Sequence, residues 1–436
     1  MTNHPNRSGR IALGIALLAV TPAAAAQQDV KLSGYLSNET AYTFGGENHW
    51  SKSRNTLNLA ATGSFSESIS WKASGWLRWD PVVQHSDFYP DKVQDDRGFE
   101  GLARETFLDV SLGDWDLRLG RQNIVWGEMV GLFFADVVSA RDMREFVLAD
   151  FEQLRIPQWA ARAEYFKDDF HAELVWIPYL TYDNIGEPGD DFYPYPPAFP
   201  GLGYRILDEK KPRGGDSDDA AGVRLGWIVD GWDINGYYYR STDVQPAFQR
   251  SFGLVGGVPT LTYTPTHNRI QQWGLTVGKD IGDGLVFKAE AIYTMGRRYD
   301  VLRLSDADGL VRKDTLDYVL GLDWTPDASN RLNLQFFQRF YQDHDPDMVP
   351  ESVESGVSLF YSTKVWGDRL EPEITLIESL NRGDWLLRPR LTWNVSADLK
   401  ASFGADILNG PPDALFGRFT NGDRVYAEVR YDYAVR

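Results

Sequence analysis

Few side chains in the 436 residues stand at spacings that perform covalent chemistry. There is no Gly-x-Ser-x-Gly elbow to lift a serine above a sheet, no His-Glu-x-x-His pair and no glycine-rich phosphate loop. His171 and His267 fall on or beside expected strands, where a serine would meet them only in space; they read as lumen-lining or solvated side chains, and no enzyme is expected. The acidic runs 305–309 and 343–347 offer oxygens of the kind calcium takes, but neither has the full ligand spacing of a calcium loop. They read as solvated turns, and neither metal nor cofactor is expected. The strongest chemical pattern is one of charge alternating with apolar residues. Glu371 and Glu373 alternate with Leu370, Ile374 and Leu376, and Arg388 and Arg390 alternate with Leu387 and Leu391. On neighbouring antiparallel strands these four would form a ladder of opposite charges, bracing a wall or touching a passing solute.

Such a ladder needs strands, and from Val30 onward the dominant period is two. At the C-terminus Val425, Ala427, Val429, Tyr431, Tyr433 and Val435 alternate with Glu428, Arg430 and Asp432. Leu57, Leu59, Ala61 and Phe65, then Ile69, Trp71, Ala73, Leu77 and Trp79, read as a hairpin with aromatics at its ends. A soluble sandwich would turn the apolar face inward; a membrane barrel turns it to lipid and the polar face to the lumen. Connection lengths favour the barrel. Tight turns near 66–68, 113–114, 167–169, 230–231, 280–284, 326–330, 366–369 and 396–399 alternate with long polar or Pro-rich connections at 81–100, 177–219, 242–268, 298–313, 342–352 and 409–423. The expected fold is all-β, a transmembrane antiparallel barrel of 18 strands, with 16 as the alternative.

The first residues support export. Arg7 and Arg10 precede an apolar run, 11–20, and then Ala23, Ala24, Ala25 and Ala26, the order of a secretory signal peptide. Residues 1–26 are therefore expected to be removed, leaving 27–436 as one barrel with an insert at 123–157. Loss of the two arginines takes the net charge from −18 to −20, an acidic balance that argues against nucleic acid as a partner. Absence of cysteine excludes a disulfide scaffold and thiolate metal sites. The hydrocarbon core, and hence outer-membrane lipid, is the expected surrounding, because no later apolar run reaches the ~20 residues of a membrane helix.

One connection departs from the period of two. In 135–153, Val138, Met143, Phe146, Val147 and Phe151 recur at helical spacing, while Arg141, Asp142, Arg144 and Glu145 supply charge. A helical loop folded into the lumen between 126 and 156 is expected, the other reading being a short helix over the barrel mouth. Gly120 would allow close strand packing, and Trp126 with Gly127 would end the strand at an interfacial girdle. Arg121 and Arg141 would anchor the insert to lumen carboxylates. Met143, Phe146 and Phe151 would line the path, with Arg121, Trp126, Glu128 and Arg141 at the gate.

The stretch Leu117-Arg118-Leu119-Gly120-Arg121-Gln122, with Trp126-Gly127-Glu128 and 136–141, resembles a family of proteobacterial outer-membrane barrels of uncharacterised function. That family is often associated with inner-membrane exporters of the resistance-nodulation-division class. The Gly-Arg-Gln element is also similar to that of alginate-export porins, which are 18-stranded. The first resemblance implies movement of a hydrophobic or small amphiphilic cargo across the envelope, with an inner-membrane exporter as partner. The second implies polysaccharide export or general porin function, which fits less well with an acidic chain. A structural or adhesive surface barrel, gripping a partner through the aromatic, Pro-rich loop 192–197, is the alternative from another class.

Overall fold

A computed structural model describes residues 30–127, 129, 135–213 and 218–435. The expected signal segment 1–26 and Glu128 lie outside the described residues. The described chain forms one 18-stranded antiparallel sheet rolled into a closed barrel. Its strands are β1 (Lys31–Thr43), β2 (His49–Ser66), β3 (Ile69–Trp79), β4 (Phe99–Leu112), β5 (Trp115–Gln122), β6 (Gln158–Lys167), β7 (Phe170–Tyr179), β8 (Ala220–Val229) and β9 (Trp232–Thr242). The second half contains β10 (Arg269–Gly282), β11 (Leu285–Asp300), β12 (Leu310–Trp324), β13 (Asn330–Tyr341), β14 (Val353–Thr363), β15 (Leu370–Ser379), β16 (Trp385–Asn394), β17 (Leu399–Asn409) and β18 (Arg424–Val435).

Closure is made by the two terminal strands. β18 pairs with β17 on one side and with β1 on the other, in register from Leu32 opposite Val435 to Thr43 opposite Arg424. No strand edge is left open to hydrocarbon, where each unpaired backbone group costs several kcal/mol. The turns at one end are tight because their residues adopt the left-handed backbone that hairpins favour. Asp230 and Gly231 have φ of 50° and 75°, and Asp283 and Gly284 have 53° and 72°. At the other end the connections are long, and a three-stranded sheet stands on them: Ala247–Val255 and Val258–Thr266 form a hairpin to which Gly203–Ile206 adds in parallel. Those segments lie inside connections where alternation alone marks only loops.

The alternation sets which face meets lipid. Val425, Val429 and Tyr431 point outward and are about half exposed, whereas Arg424 is 3% exposed on the inner face. The same inversion runs round the wall. Leu59, Leu77, Leu119, Trp176, Trp227, Trp273, Leu334 and Trp393 are exposed, while Lys52, Arg78, Glu173, Glu290, Asp317 and Asp406 are buried within. Aromatics gather near the tight-turn end, as in Trp115 against Tyr165 at 4.9 Å and Phe170 against Trp227 at 4.4 Å. Tyr42 and Trp50, 5.2 Å apart, mark the opposite end. Apolar outside, polar inside and aromatics at both rims are what a bilayer demands of an outer-membrane barrel.

Candidate functional site

The connection 123–157 between β5 and β6 enters the lumen, but it is not the helix that its spacing suggests. Between 135 and 150 the described backbone is bends and turns. Ala140–Arg141 pairs with Arg155–Ile156 as a two-residue ribbon, and the one helical turn among the described residues of the connection is Phe151–Leu154. The physical reason lies in where the side chains go. Val138 joins one apolar cluster with Ile124 and Trp126, while Met143, Phe146 and Val147 join another with Phe192, Phe416 and Phe419. Phe146 has φ of 52°, which a right-handed helix does not tolerate. The charges between these apolar residues are drawn to several different partners, so no common helical face survives.

On one side the insert is held by charge. Glu145, almost fully buried, accepts from Lys52, from Arg54 Nη1 at 2.6 Å and from Arg424 Nη1 at 2.9 Å. The barrel presents these cations already paired: Lys52 and Arg54 meet Glu39 of the adjoining β1 at 2.6 and 2.7 Å, and Arg424 meets Asp406 of β17 at 2.8 Å. Arg388 bonds Asp406 at 2.7 Å and also donates to the insert carbonyl of Leu148 at 2.7 Å. Gln153 Oε1 accepts from Arg54 and Arg78 at 3.0 and 3.2 Å, and Arg104 donates to the carbonyls of Glu152 and Arg155 at 2.8 and 2.7 Å. Charge-assisted bonds of this length are the strong kind, and burial keeps water from competing for them. Arg144 extends the net outward, gripping Asp142 through Nε–Oδ1 at 2.8 Å and Nη2–Oδ2 at 2.6 Å and bonding Glu100 of β4.

On the opposite side the contact is apolar, with one carboxylate as clasp. Trp126 lies 5.1 Å from the ring of Tyr237 and 5.8 Å from that of Tyr239, both on β9. Glu290 of β11 accepts from the backbone N–H of Met129 at 3.0 Å and of Ala135 at 3.2 Å. Beside this contact remains a cavity of about 230 Å³. Arg141, Val147 and Asp183 line it from the insert and the loop after β7, and the paired Asp243–Arg297 and Asp317–Arg339 line it from above and from the wall. On the charge-held side the gaps beside Glu145 and beside Arg390 are about 20 Å³ each.

The residues singled out from sequence fall in several places. Trp126 is buried in the lumen instead of ending a strand at a girdle, because the chain has already turned inward there and the Gly127 backbone packs against Ala135. Arg121 makes no ion pair among the described residues, and its Nε is buried without a partner. It is not the anchor expected of it. At Arg141 the backbone ties the insert to the loop after β7: its backbone N–H donates to Asp183 Oδ1 at 2.8 Å and its carbonyl accepts from Asn184 at 2.8 Å, while Nη2 donates to the insert carbonyl of Asp136 at 2.9 Å. Met143 and Phe146 are packed into apolar contacts, and Phe151 is 45% exposed with the Arg155 guanidinium 3.4 Å above its ring. None of the three lines the cavity. Glu373 faces Arg390 in register at 3.9 Å, whereas Glu371 faces Thr392 and makes no ion pair among the described residues. The ladder therefore runs sideways, with Arg390 also reaching Asp150 at 3.1 Å and Glu428 at 3.3 Å.

Sequence reasoning missed Lys52, Arg54, Arg424 and Glu290 as partners of the insert, and Glu39 and Asp406 as the wall carboxylates paired with those cations. The available signal was phase: each stands on the side of its strand opposite the lipid-facing residues. The loop 192–197, expected as an outward grip, exposes Tyr195 but turns its other two aromatics inward. Phe192 and Tyr193 are buried, with Phe192 5.7 Å from Phe419 and 5.5 Å from the Arg424 guanidinium, so this loop helps cover the insert.

A lipid-facing closed barrel of 18 strands with a folded-in loop defines a porin-type outer-membrane β-barrel. The chain belongs to the family described as protein of unknown function, DUF1302, whose model matches residues 65–433. No curated protein matches it. Among solved structures it is similar to Acinetobacter baumannii OccAB1, at 9% identity and TM-score 0.56, over 93% of this chain and 96% of that one. Pseudomonas aeruginosa OccK8 (OprE) gives 10% and 0.55 over 93% and 98%, and OccK2 (OpdF) of the same organism, in complex with glucuronate, gives 11% and 0.52 over 94% and 99%. At these identities the likeness is one of fold.

Proposed function

We propose that the protein is a transport barrel in which small polar or amphiphilic solutes pass beside a lumen insert that fills most of the pore. The observation that carries this reading is the asymmetry of the plug: gaps of about 20 Å³ lie beside Glu145 and Arg390 in the charge cluster, and a cavity of about 230 Å³ lies on the other side. Its lining mixes ion pairs with Val137, Val147, Val244, Ile270 and Ile292, which suits a solute with one polar and one apolar end. A wholly hydrophobic cargo would strip water from Asp243, Arg297, Asp317 and Arg339 without replacing it, which is costly even for paired charges. Of the aromatics of loop 192–197, Phe192 and Tyr193 are buried and Tyr195 alone is exposed, which leaves the adhesive alternative a smaller grip.

Replacing residues 135–153 by a short Gly-Ser linker tests the reading. The variant should keep the mobility shift on boiling that marks a closed barrel and should conduct several times more ions in a planar bilayer. A folded variant that conducts no more than its parent would show that the insert merely caps the barrel.

A further inference from the structure

On the inner face near the tight-turn end, outside the cavity and beside Trp126 of the insert, Glu164, His171 and Glu173 converge from two adjoining strands. Glu164 of β6 stands directly opposite Glu173 of β7, and His171 lies two residues from Glu173 on the same face. The lipid-facing set on these strands is Trp159, Leu174 and Trp176, so alternation turns all three chemical groups into the lumen. One ligand atom from each lies within 4.8 Å of the others.

Two further observations concern the same atoms. Glu173 is 3% exposed, yet its Oε1 is buried without a hydrogen bond, and His171 Nε2 is likewise buried and makes none. Leaving such atoms unsatisfied is expensive. His171 Nε2 and Glu164 Oε1 are 3.4 Å apart, close to the ~3.4 Å that separates two ligands of a tetrahedral ion bound at about 2.0–2.1 Å. The other Glu164 oxygen is held by Arg162, which orients the carboxylate as outer partners of metal ligands do. Arg224 stands opposite Glu173 on β8, but its Nε makes no hydrogen bond.

We propose that Glu164 Oε1, His171 Nε2 and Glu173 Oε1 bind one divalent transition-metal cation. An imidazole with two carboxylates selects against calcium and magnesium, which take oxygen alone. Three protein ligands leave further positions of the metal facing the lumen, open to water or to a donor group on a solute.

The test uses the full chain in detergent, stripped with a chelator and titrated with zinc against a chromophoric competitor. The native barrel should take up one tight equivalent. His171→Ala and Glu173→Gln should each weaken that site by more than the ~10–100-fold typical of an outer-sphere change, while His85→Ala leaves it intact. All variants are checked for the mobility shift on boiling. Because a variant can fail to fold, copper(II) at less than one equivalent is also bound to the unaltered protein, where electron paramagnetic resonance should show coupling to imidazole nitrogen. Absence of a tight zinc equivalent, an undiminished one in folded His171→Ala, or a copper spectrum without nitrogen coupling would each overturn the proposal.

Discussion

The two sides of the insert are held by different physics. Toward β1, β2, β17 and β18, Glu145 sits among three cations that wall carboxylates already neutralise in part. Toward β9 and β11, Trp126 packs on tyrosines and a single carboxylate holds two backbone N–H groups. Buried ion pairs are directional and tolerate little displacement, whereas apolar contact depends on area and accepts sliding. On the proposed transport reading, the first side should act as the fixed hinge and the second as the edge that yields. The cavity lies beside the yielding edge, where a small shift of the insert would widen it.

The largest expected effect breaks the fixed side. Glu145→Ala would leave Lys52, Arg54 and Arg424 facing one another, and loss of one partner from such a buried set costs about 3–5 kcal/mol. The insert should detach while the wall persists, seen as proteolytic nicking within 135–153 and a raised conductance in a chain that still shifts on boiling. If nicking and conductance match the parent, the charge cluster is not what holds the insert.

A smaller effect is expected from Glu290→Ala on the yielding side. Two insert N–H groups would lose their acceptor, a penalty of about 1–3 kcal/mol each if water does not reach them. Single-channel records should show more frequent opening steps than the parent, but less nicking than Glu145→Ala. Equal or greater nicking would reverse the assignment of hinge and edge.

Acidity sharpens the comparison without mutation. Burial pushes the Asp183 carboxyl, in the loop after β7, up to about 6 against the pull of Arg141, with Asp243 adding to the rise and His267 opposing it. The ionised form is thus the disfavoured one: its cost is present above pH 6 and is relieved as pH falls through that value. Lowering the pH from 7 to 5 should remove one negative charge from the cavity lining and reduce preference for cations, with a midpoint near 6. Reversal potentials in a salt gradient measure this. In Asp183→Asn the midpoint should vanish, and its persistence would place the titrating group elsewhere.

The smallest effect concerns the rim of the fixed side. Glu152 lies 3.8 Å from Arg430 and is more than half exposed, so Glu152→Gln should change insert docking by no more than about 1 kcal/mol. A change as large as that of Glu145→Ala would mean that the rim, not the buried cluster, carries the fixed side.

The barrel was legible in the sequence because its information is local. Alternation over ten residues assigns the lipid face, and Asp-Gly pairs such as Asp230-Gly231 mark the tight end, so the strands and their facing follow without knowledge of distant residues, and closure at 18 instead of 16 is decided by the pairing of β1 with β18. Arg121, Met143, Phe146 and Phe151 were misjudged for the converse reason. A helical period in 135–153 reports only that apolar residues recur, and it cannot say that Val138 and Phe146 are claimed by opposite walls. The contacts that decide the insert's path span large sequence separations: 93 residues from Lys52 to Glu145 and 240 from Arg388 to Leu148. The sequence by itself therefore determined the wall, its orientation and where the chain leaves it. Only the tertiary structure decided the form of the plug, because an irregular backbone takes its shape from the partners that satisfy its charges and N–H groups, and closure of the barrel brings those partners together.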